Sequence, residues 1–238
     1  MDDLPASSTA SVAVAWAGAA AFVLSLNGGF LTILWGMRNG GPAAPALTNG
    51  VINAFLFTAF AMHHSLLART GAKRAVQSFA GEHLERSIYV WIASLLYVMT
   101  WALWRDLPGT LYRHTGIWAA AHWIVVVLGF VFTFAAARLI DPLDLAGVNQ
   151  AARKTVLATP LEVAGPYHLV RHPIYLGWLL IVFGNPEMTW TRLEFAVISS
   201  TYLVVAIPFE ERSLVDVFGD AYRAYQRDVR WRIVPGIW

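Results

Sequence analysis

The stretch GPYHLVRHPIYLGWLL, residues 165–180, sets Arg171 and His172 directly in front of a run of apolar residues. Gly165-Pro166 marks a turn. Pro173 fits the first turn of a helix, where its missing N–H costs nothing, and it pushes His172 out of the α region. The chain therefore arrives as a loop and becomes an apolar helix at Pro173. The unpaired N–H groups of that first turn form a ready anion site, and Arg171 and His172 add positive charge beside it. Gly177, one turn further on the same face, leaves room for a group to approach the backbone. Such a site suits a carboxylate or phosphate carried next to a flat or apolar group. The alternative is a pair of side chains that anchors a helix end at the lipid headgroups.

A second constellation, Glu210-Glu211-Arg212, follows the apolar run VVAIPF. Two carboxylates at a membrane edge are costly unless paired or solvated. Neighbours on a helix point about 100° apart, so at most one faces a given pocket. Arg212 can pair with one, and the other is free to hold a cation; the alternative is a solvated helix end. Pro208 releases a carbonyl near Val204 and marks the place as irregular. A third group, His63-His64-Ser65, closes an apolar segment. Neighbouring histidines do not share a helix face, so they make a poor metal pair. In Glu85-Arg86-Ser87, the serine or the acid before it can cap a helix. His122 reads as a packed helix–helix contact. The chain has no cysteine, which excludes disulfides, thiolate metal sites and cysteine nucleophiles. No HExxH, EF-hand, P-loop or G-x-S-x-G pattern occurs, and no metal is expected.

The elements that carry these residues are set by composition. Of 238 residues, 57% are hydrophobic and 13% charged, with a mean hydropathy of +0.53. Soluble domains average about 25% charged residues, so the reading is a polytopic integral membrane protein, all-α, folded as one domain over residues 1–238. A net charge of +2 with no basic, aromatic-interleaved surface stretch argues against nucleic acid. Six apolar segments stand out, at about 10–36, 47–67, 87–104, 117–137, 174–185 and 190–208. The fifth is short alone; it suffices if it starts at His172 or forms a hairpin with the sixth through Asn185-Pro186-Glu187. The first lacks a basic leader in front of it and reads as a retained helix. With six spans, 13 of the 17 Lys and Arg residues fall on one side and only Arg38, Arg105, Arg113 and Arg192 on the other. Both termini are then expected in the cytoplasm. After Pro208, residues Leu214, Val217, Phe218, Tyr222 and Tyr225 recur at helical spacing, which predicts a C-terminal amphipathic cytoplasmic helix that Gly219 bends.

The run Gly165-Pro166-Tyr167-x-x-Val170-Arg171-His172-Pro173-x-Tyr175-x-Gly177 resembles the cofactor motif of the membrane-embedded methyltransferases, among them the isoprenylcysteine carboxyl and phospholipid methyltransferases. The stretch Glu210-Glu211-x-x-Leu214-x-x-x-Phe218-Gly219-x-x-Tyr222-x-x-Tyr225-x-x-x-Val229 is similar to their companion motif. Together the two span about 70 residues and are specific; either alone is weak. In the N-terminal half, His64-Ser65-x-x-Ala68-Arg69, Glu85-Arg86-Ser87-x-Tyr89-Val90, Trp101 and Trp104-Arg105 resemble the bacterial methanethiol S-methyltransferases.

The resemblance implies S-adenosylmethionine as methyl donor. It divides the chain into substrate-side helices at 10–140 and a cofactor-binding half at 165–235. Tyr167, His168, Leu169 and Val170 would lie along the nucleoside. Arg171, His172 and the helix start at Pro173 would hold the methionyl carboxylate. Tyr175 completes the motif, and Gly177 would give clearance. Glu210 or Glu211 would hold the ammonium or a ribose hydroxyl, with Arg212 balancing charge, and Tyr222 and Tyr225 would close a lid. His64 is the candidate base, with Arg69 or Arg86 as alternatives. The acceptor is expected to be a small apolar thiol such as methanethiol or, alternatively, a lipid or prenyl-cysteine carboxylate; an accessory membrane protein of the same fold is the non-enzyme alternative. The expected setting is a bacterial inner membrane, among its lipids, with the active site on the cytoplasmic side and no obligate protein partner.

Overall fold

The computed structural model describes residues 9–37, 46–66, 74, 76–78, 80–152 and 161–238. Arg69 lies outside the described residues. Each of the six expected apolar segments forms a helix: α1, Thr9–Leu31, continued by a π-turn, Thr32–Gly36; α2, Ala46–Leu66; α3, Glu82–Ala102; α4, Gly116–Ala137; then, beyond two one-turn helices, α5 (Pro142–Leu145) and α6 (Val148–Ala151), come α7, Pro173–Phe183, and α8, Trp190–Phe218. A last helix, α9, covers Asp220–Asp228.

Among the described residues, four helices are long and apolar enough to cross a membrane, Thr9–Gly36, Ala46–Ser65, Gly116–Ala137 and Trp190–Phe218. The chain is a helical membrane protein. The other two segments fall short of that standard for separate reasons. α3 has the length but carries Glu82, Glu85 and Arg86 in its opening turns. α7 has 11 residues, a rise of about 16 Å against a hydrocarbon core of about 30 Å.

The chain divides into two compact units. The first takes residues 1–32, 52–104 and 141–159. Its centre is α1 against α3. The small residues of α1 seat the aromatic side chains of α3: a Cβ on Gly18 would come 3.0 Å from the Trp91 indole nitrogen, and one on Gly28 would come 2.8 Å from the Trp101 ring. Trp91 Nε1 also donates to the Val14 carbonyl at 3.1 Å. Close approach at glycine is how helices gain contact in lipid, where apolar burial alone supplies little drive. Ser87, expected as a cap, is instead buried five residues inside α3 and donates to the Gly147 carbonyl at 3.4 Å. The helix begins earlier because Glu82 and Glu85 already supply favourable acids to its first turn.

The second unit takes residues 33–51, 105–140 and 160–238. Helix α4, expected with the substrate-side helices, packs here against α7. The contact is backbone to backbone: a Cβ on Gly177 would meet the Gly129 carbonyl oxygen at 2.7 Å and the Thr133 nitrogen at 2.9 Å. The space beside Gly177 is therefore filled by α4 and is not clearance for a ligand. Gly177→Ala should cost about 1–3 kcal/mol through overpacking, read as a lower thermal midpoint of the purified protein in detergent.

At the far end of α7, His122 Nδ1 bonds the Gly184 carbonyl at 3.0 Å, so the expected packing role of His122 is met. Between α7 and α8 the chain forms a short strand, β2 (Glu187–Thr189), antiparallel to β1 (Thr110–Arg113), with Arg113 paired to Glu187. Thr189 caps α8 by accepting from the Arg192 N–H at 3.1 Å. Arg192, 2% exposed, donates to the carbonyls of Ile33 (3.0 Å), Leu34 (2.9 Å) and Glu187 (2.6 Å). It thus ties the π-turn and β2 to the start of α8 through charge-assisted hydrogen bonds. α8 runs through Pro208 to Phe218 as one helix.

Candidate active site: an acidic hub beside an open cleft

The site is assembled from three segments of the second unit. The first is the run before α7. Gly165, at φ 57°, starts a 3-10 turn over Gly165–His168. Arg171 and His172 then extend alongside the C-terminal segment, their N–H groups donating to the carbonyls of Trp231 (2.9 Å) and Arg232 (2.8 Å). Pro173 opens α7, as the sequence predicts. The second segment is the C-terminal part of α8, which brings Glu210 and Glu211. The third is α9 and the residues after it.

Glu211 is the hub. Its side chain is 6% exposed, in ion-pair contact with three basic groups. Arg171 Nε donates to Oε1 at 2.7 Å, and His172 Nε2 lies 3.3 Å from the same oxygen. Gln226 Nε2 donates to Oε2 at 3.3 Å, and Arg232 Nε stands 3.4 Å from it. An isolated carboxylate so buried would be severely penalised; several charge-assisted partners make it tenable. Glu210 turns to the other side, where it accepts from the Tyr175 hydroxyl at 2.7 Å and lies 3.6 Å from His172 Nδ1. The two adjacent acids thus occupy different surroundings, as their helical offset requires, yet His172 touches both. The His172 ring is buried and stacked on Tyr175, with centroids 5.3 Å apart.

These contacts revise several expected roles. Arg171 is not an open anion receptor. Its Nη1 donates to the carbonyls of Val229 (2.8 Å) and Arg230 (3.0 Å) while its Nε holds Glu211. Arg212 does not pair with either glutamate; its guanidinium lies over the Phe209 ring at 5.8 Å. Tyr222 and Tyr225 do not form an outer lid. Both are buried, with Val229, against Leu161, Tyr167 and Phe218. Tyr225 donates to the Tyr167 carbonyl at 2.7 Å, fastening α9 to the 3-10 turn. Burial, reinforced by the Glu211 charge, pushes the Tyr222 phenol well above its ordinary value, and burial beside Tyr167 does the same for Tyr225. Both phenols therefore stay neutral. The Tyr222 hydroxyl is buried and has no hydrogen-bond partner among the described residues. Val170 is fully buried, whereas Leu169 is exposed and His168 ends the 3-10 turn.

An open cleft of about 330 Å³ adjoins the hub, lined by Pro208, Glu211, Arg212, Val215 and Asp216 of α8, Gln226 of α9, and Arg232. That volume sits at the small end of the ~300–1,000 Å³ range of ligand sites. Its wall carries both signs of charge. Asp216, Gln226 and Arg232 do not figure among the candidate residues read from the sequence. A signal was present for Gln226, which lies four residues after Tyr222 and so shares its helix face. Arg232 was legible only as one more basic residue of the tail.

In the first unit, His64 Nδ1 is hydrogen-bonded to the Tyr89 hydroxyl, and the rings lie 5.8 Å apart. His63 stacks on the same tyrosine. Arg86 Nε donates to the Leu145 carbonyl at 3.2 Å, fixing the segment that carries α5 and α6.

No family model and no solved structure matches the chain. Curated proteins do. The chain is 36% identical over 190 residues to Methanethiol S-methyltransferase 2 of Bradyrhizobium diazoefficiens, covering 75% of this chain and 71% of that protein. It is 34% identical over 192 residues to the Methanethiol S-methyltransferase of Mycobacterium tuberculosis, covering 79% of each. A more distant similarity, 29% identity over 167 residues, links it to Nurim of Xenopus laevis, covering 64% of this chain and 58% of that protein. The first two relatives are similar over most of both chains, at an identity that settles kinship: the chain belongs to the methanethiol S-methyltransferase family.

Proposed function

We propose that the protein transfers a methyl group from S-adenosylmethionine to a small thiol, methanethiol, giving dimethyl sulfide. The observation that carries this reading is the convergence of the two motifs on one buried carboxylate, Glu211, at the edge of an open cleft. Relatives named methanethiol S-methyltransferase support methanethiol as the methyl acceptor.

The donor's features fit the residues present. It carries a sulfonium, an ammonium and a carboxylate, and the cleft wall offers the carboxylates of Glu211 and Asp216 beside the guanidinium of Arg232. Two buried polar atoms in the neighbourhood, the Tyr222 hydroxyl and Arg232 Nε, have no aligned hydrogen-bond partner among the described residues. Glu211 and Asp216 would hold the cationic end, with Arg171 and His172 fixing the Glu211 carboxylate. When bound, S-adenosylmethionine supplies an electrophilic methyl group on a sulfonium. The chain's task is alignment and exclusion of water. A thiol attacks as its thiolate, so a group must take its proton. His64 is our candidate: its Nδ1 is in hydrogen-bond contact with the Tyr89 hydroxyl, and in the tautomer that donates from Nδ1 the free base is Nε2. Arg86 and Arg69 are the cationic alternatives for favouring the thiolate.

The reading includes six spans in a bacterial inner membrane, with both termini and the donor cleft on the cytoplasmic side. Its support is the partition of basic residues, 13 of 17 on one side. Cells expressing the protein and fed methanethiol should release dimethyl sulfide to the headspace, and His64→Ala should cut the yield by roughly 10²-fold or more, the usual worth of a general base. Headspace no richer in dimethyl sulfide than that of empty-vector cells rules out methanethiol as the acceptor.

A further inference from the structure

We propose that Arg232, paired with Glu211 across the cleft wall, reads the free α-amino acid end of the methyl donor, with Arg232 taking the carboxylate. The inference rests on the donor cleft proposed above and assigns within it a residue outside both motifs.

Three basic side chains compete for this role. Arg171 is committed: its side chain is 7% exposed, and its Nε and Nη1 are spent on Glu211 and two carbonyls. Arg212 is exposed, with its guanidinium over Phe209. Arg232 differs from both. It lines the cleft with its side chain 34% exposed. Its Nε is buried with no aligned acceptor among the described residues, although Glu211 Oε2 is 3.4 Å away. A buried donor with no aligned acceptor carries a desolvation penalty that a bound anion would remove.

The position of Arg232 is built, not incidental. Its guanidinium lies over the Trp238 ring, 5.1 Å from the centroid. The main-chain oxygen of Trp238 accepts from the N–H groups of Arg232 (3.0 Å), Ile233 (3.0 Å) and Val234 (3.1 Å). Gly236, at φ 82°, permits the reversal that closes this loop. The Arg232 carbonyl in turn accepts from the His172 N–H at 2.8 Å, so the loop is tied to the first motif. A planar guanidinium on an aromatic plate gives up little freedom on binding a carboxylate.

The chemical class follows from the charge pattern. An α-amino acid end carries ammonium and carboxylate on one carbon. A wall that recognises it must present opposite charges a few ångströms apart, as Glu211 Oε2 and Arg232 Nε do at 3.4 Å. Asp216 adds a second carboxylate for the ammonium. A nucleoside without the amino acid has nothing to offer this pair.

The test uses two probes that differ only in that end, S-adenosylhomocysteine and 5′-methylthioadenosine, titrated calorimetrically into the purified full-length protein. The wild type should bind the first more tightly. Arg232→Gln should weaken S-adenosylhomocysteine about tenfold to a hundredfold, the worth of a charged hydrogen bond, and leave methylthioadenosine unchanged. Equal losses for both probes, or none for S-adenosylhomocysteine, overturn the proposal. Trp238→Ala, which keeps the charge and removes the plate, gives a second reading should Arg232→Gln not fold: loss confined to S-adenosylhomocysteine supports the proposal, and loss shared by both probes or absent from both overturns it. A wild-type protein that binds neither probe overturns the donor cleft itself, and the proposal with it.

Discussion

Arg171→Met is expected to destabilise the second unit by about 3–5 kcal/mol, the usual cost of breaking a buried ion pair from one side. Two costs combine. Glu211 keeps its buried carboxylate but loses the partner at 2.7 Å. The carbonyls of Val229 and Arg230 also lose their donor. Those carbonyls belong to the segment that carries Arg232, so the cleft should open and donor affinity should fall with stability. The double variant Arg171→Met/Glu211→Met removes both charges and should cost less than the sum of the single changes. Thermal unfolding of the four proteins, wild type included, measures the coupling. Additive losses would mean that the two side chains do not act as a pair.

Arg192→Met should be comparably severe and yet leave the donor site chemically intact. Arg192 donates to three carbonyls at 2.6–3.0 Å from the π-turn and β2. Each carbonyl stranded without water costs about 1–3 kcal/mol. Methionine fills much of the volume and supplies no donor. The expected result is a large fall in thermal midpoint and poor membrane yield, while whatever protein folds binds S-adenosylhomocysteine with unchanged affinity. A variant as stable as the wild type would show that the carbonyls find other partners.

The difference between these two arginines marks how far the sequence could be read. The turn at Gly165-Pro166 and the helix start at Pro173 follow from local rules; that Arg171 and Glu211 share one site is implied only by the family resemblance. All three are found. The partners of Arg171 are not local: its second and third acceptors, Val229 and Arg230, lie nearly sixty residues away, and nothing in the spacing links them. Arg192 was legible as one of four basic residues on the sparsely charged side. Its burial depends on a π-turn in residues 32–36, an irregularity that an apolar run does not announce. Gly177 misleads for a related reason. A glycine near a ligand motif suggests room for the ligand, but the same notch admits the α4 backbone, and in lipid helix contact is a strong competitor for small residues. Tyr222 and Tyr225 were placed on the correct face by their spacing. Periodicity identifies a face and not what covers it, so it does not tell a buried core from a lid.

The central claim is that the hub at Glu211 and the cleft beside it hold the methyl donor. Its most direct test is the calorimetric titration of S-adenosylhomocysteine into purified wild-type protein and into Glu211→Gln. A saturable heat with one site per chain in the wild type, weakened at least tenfold in the variant, is the predicted result. No heat in the wild type, or the same affinity in both, would contradict it.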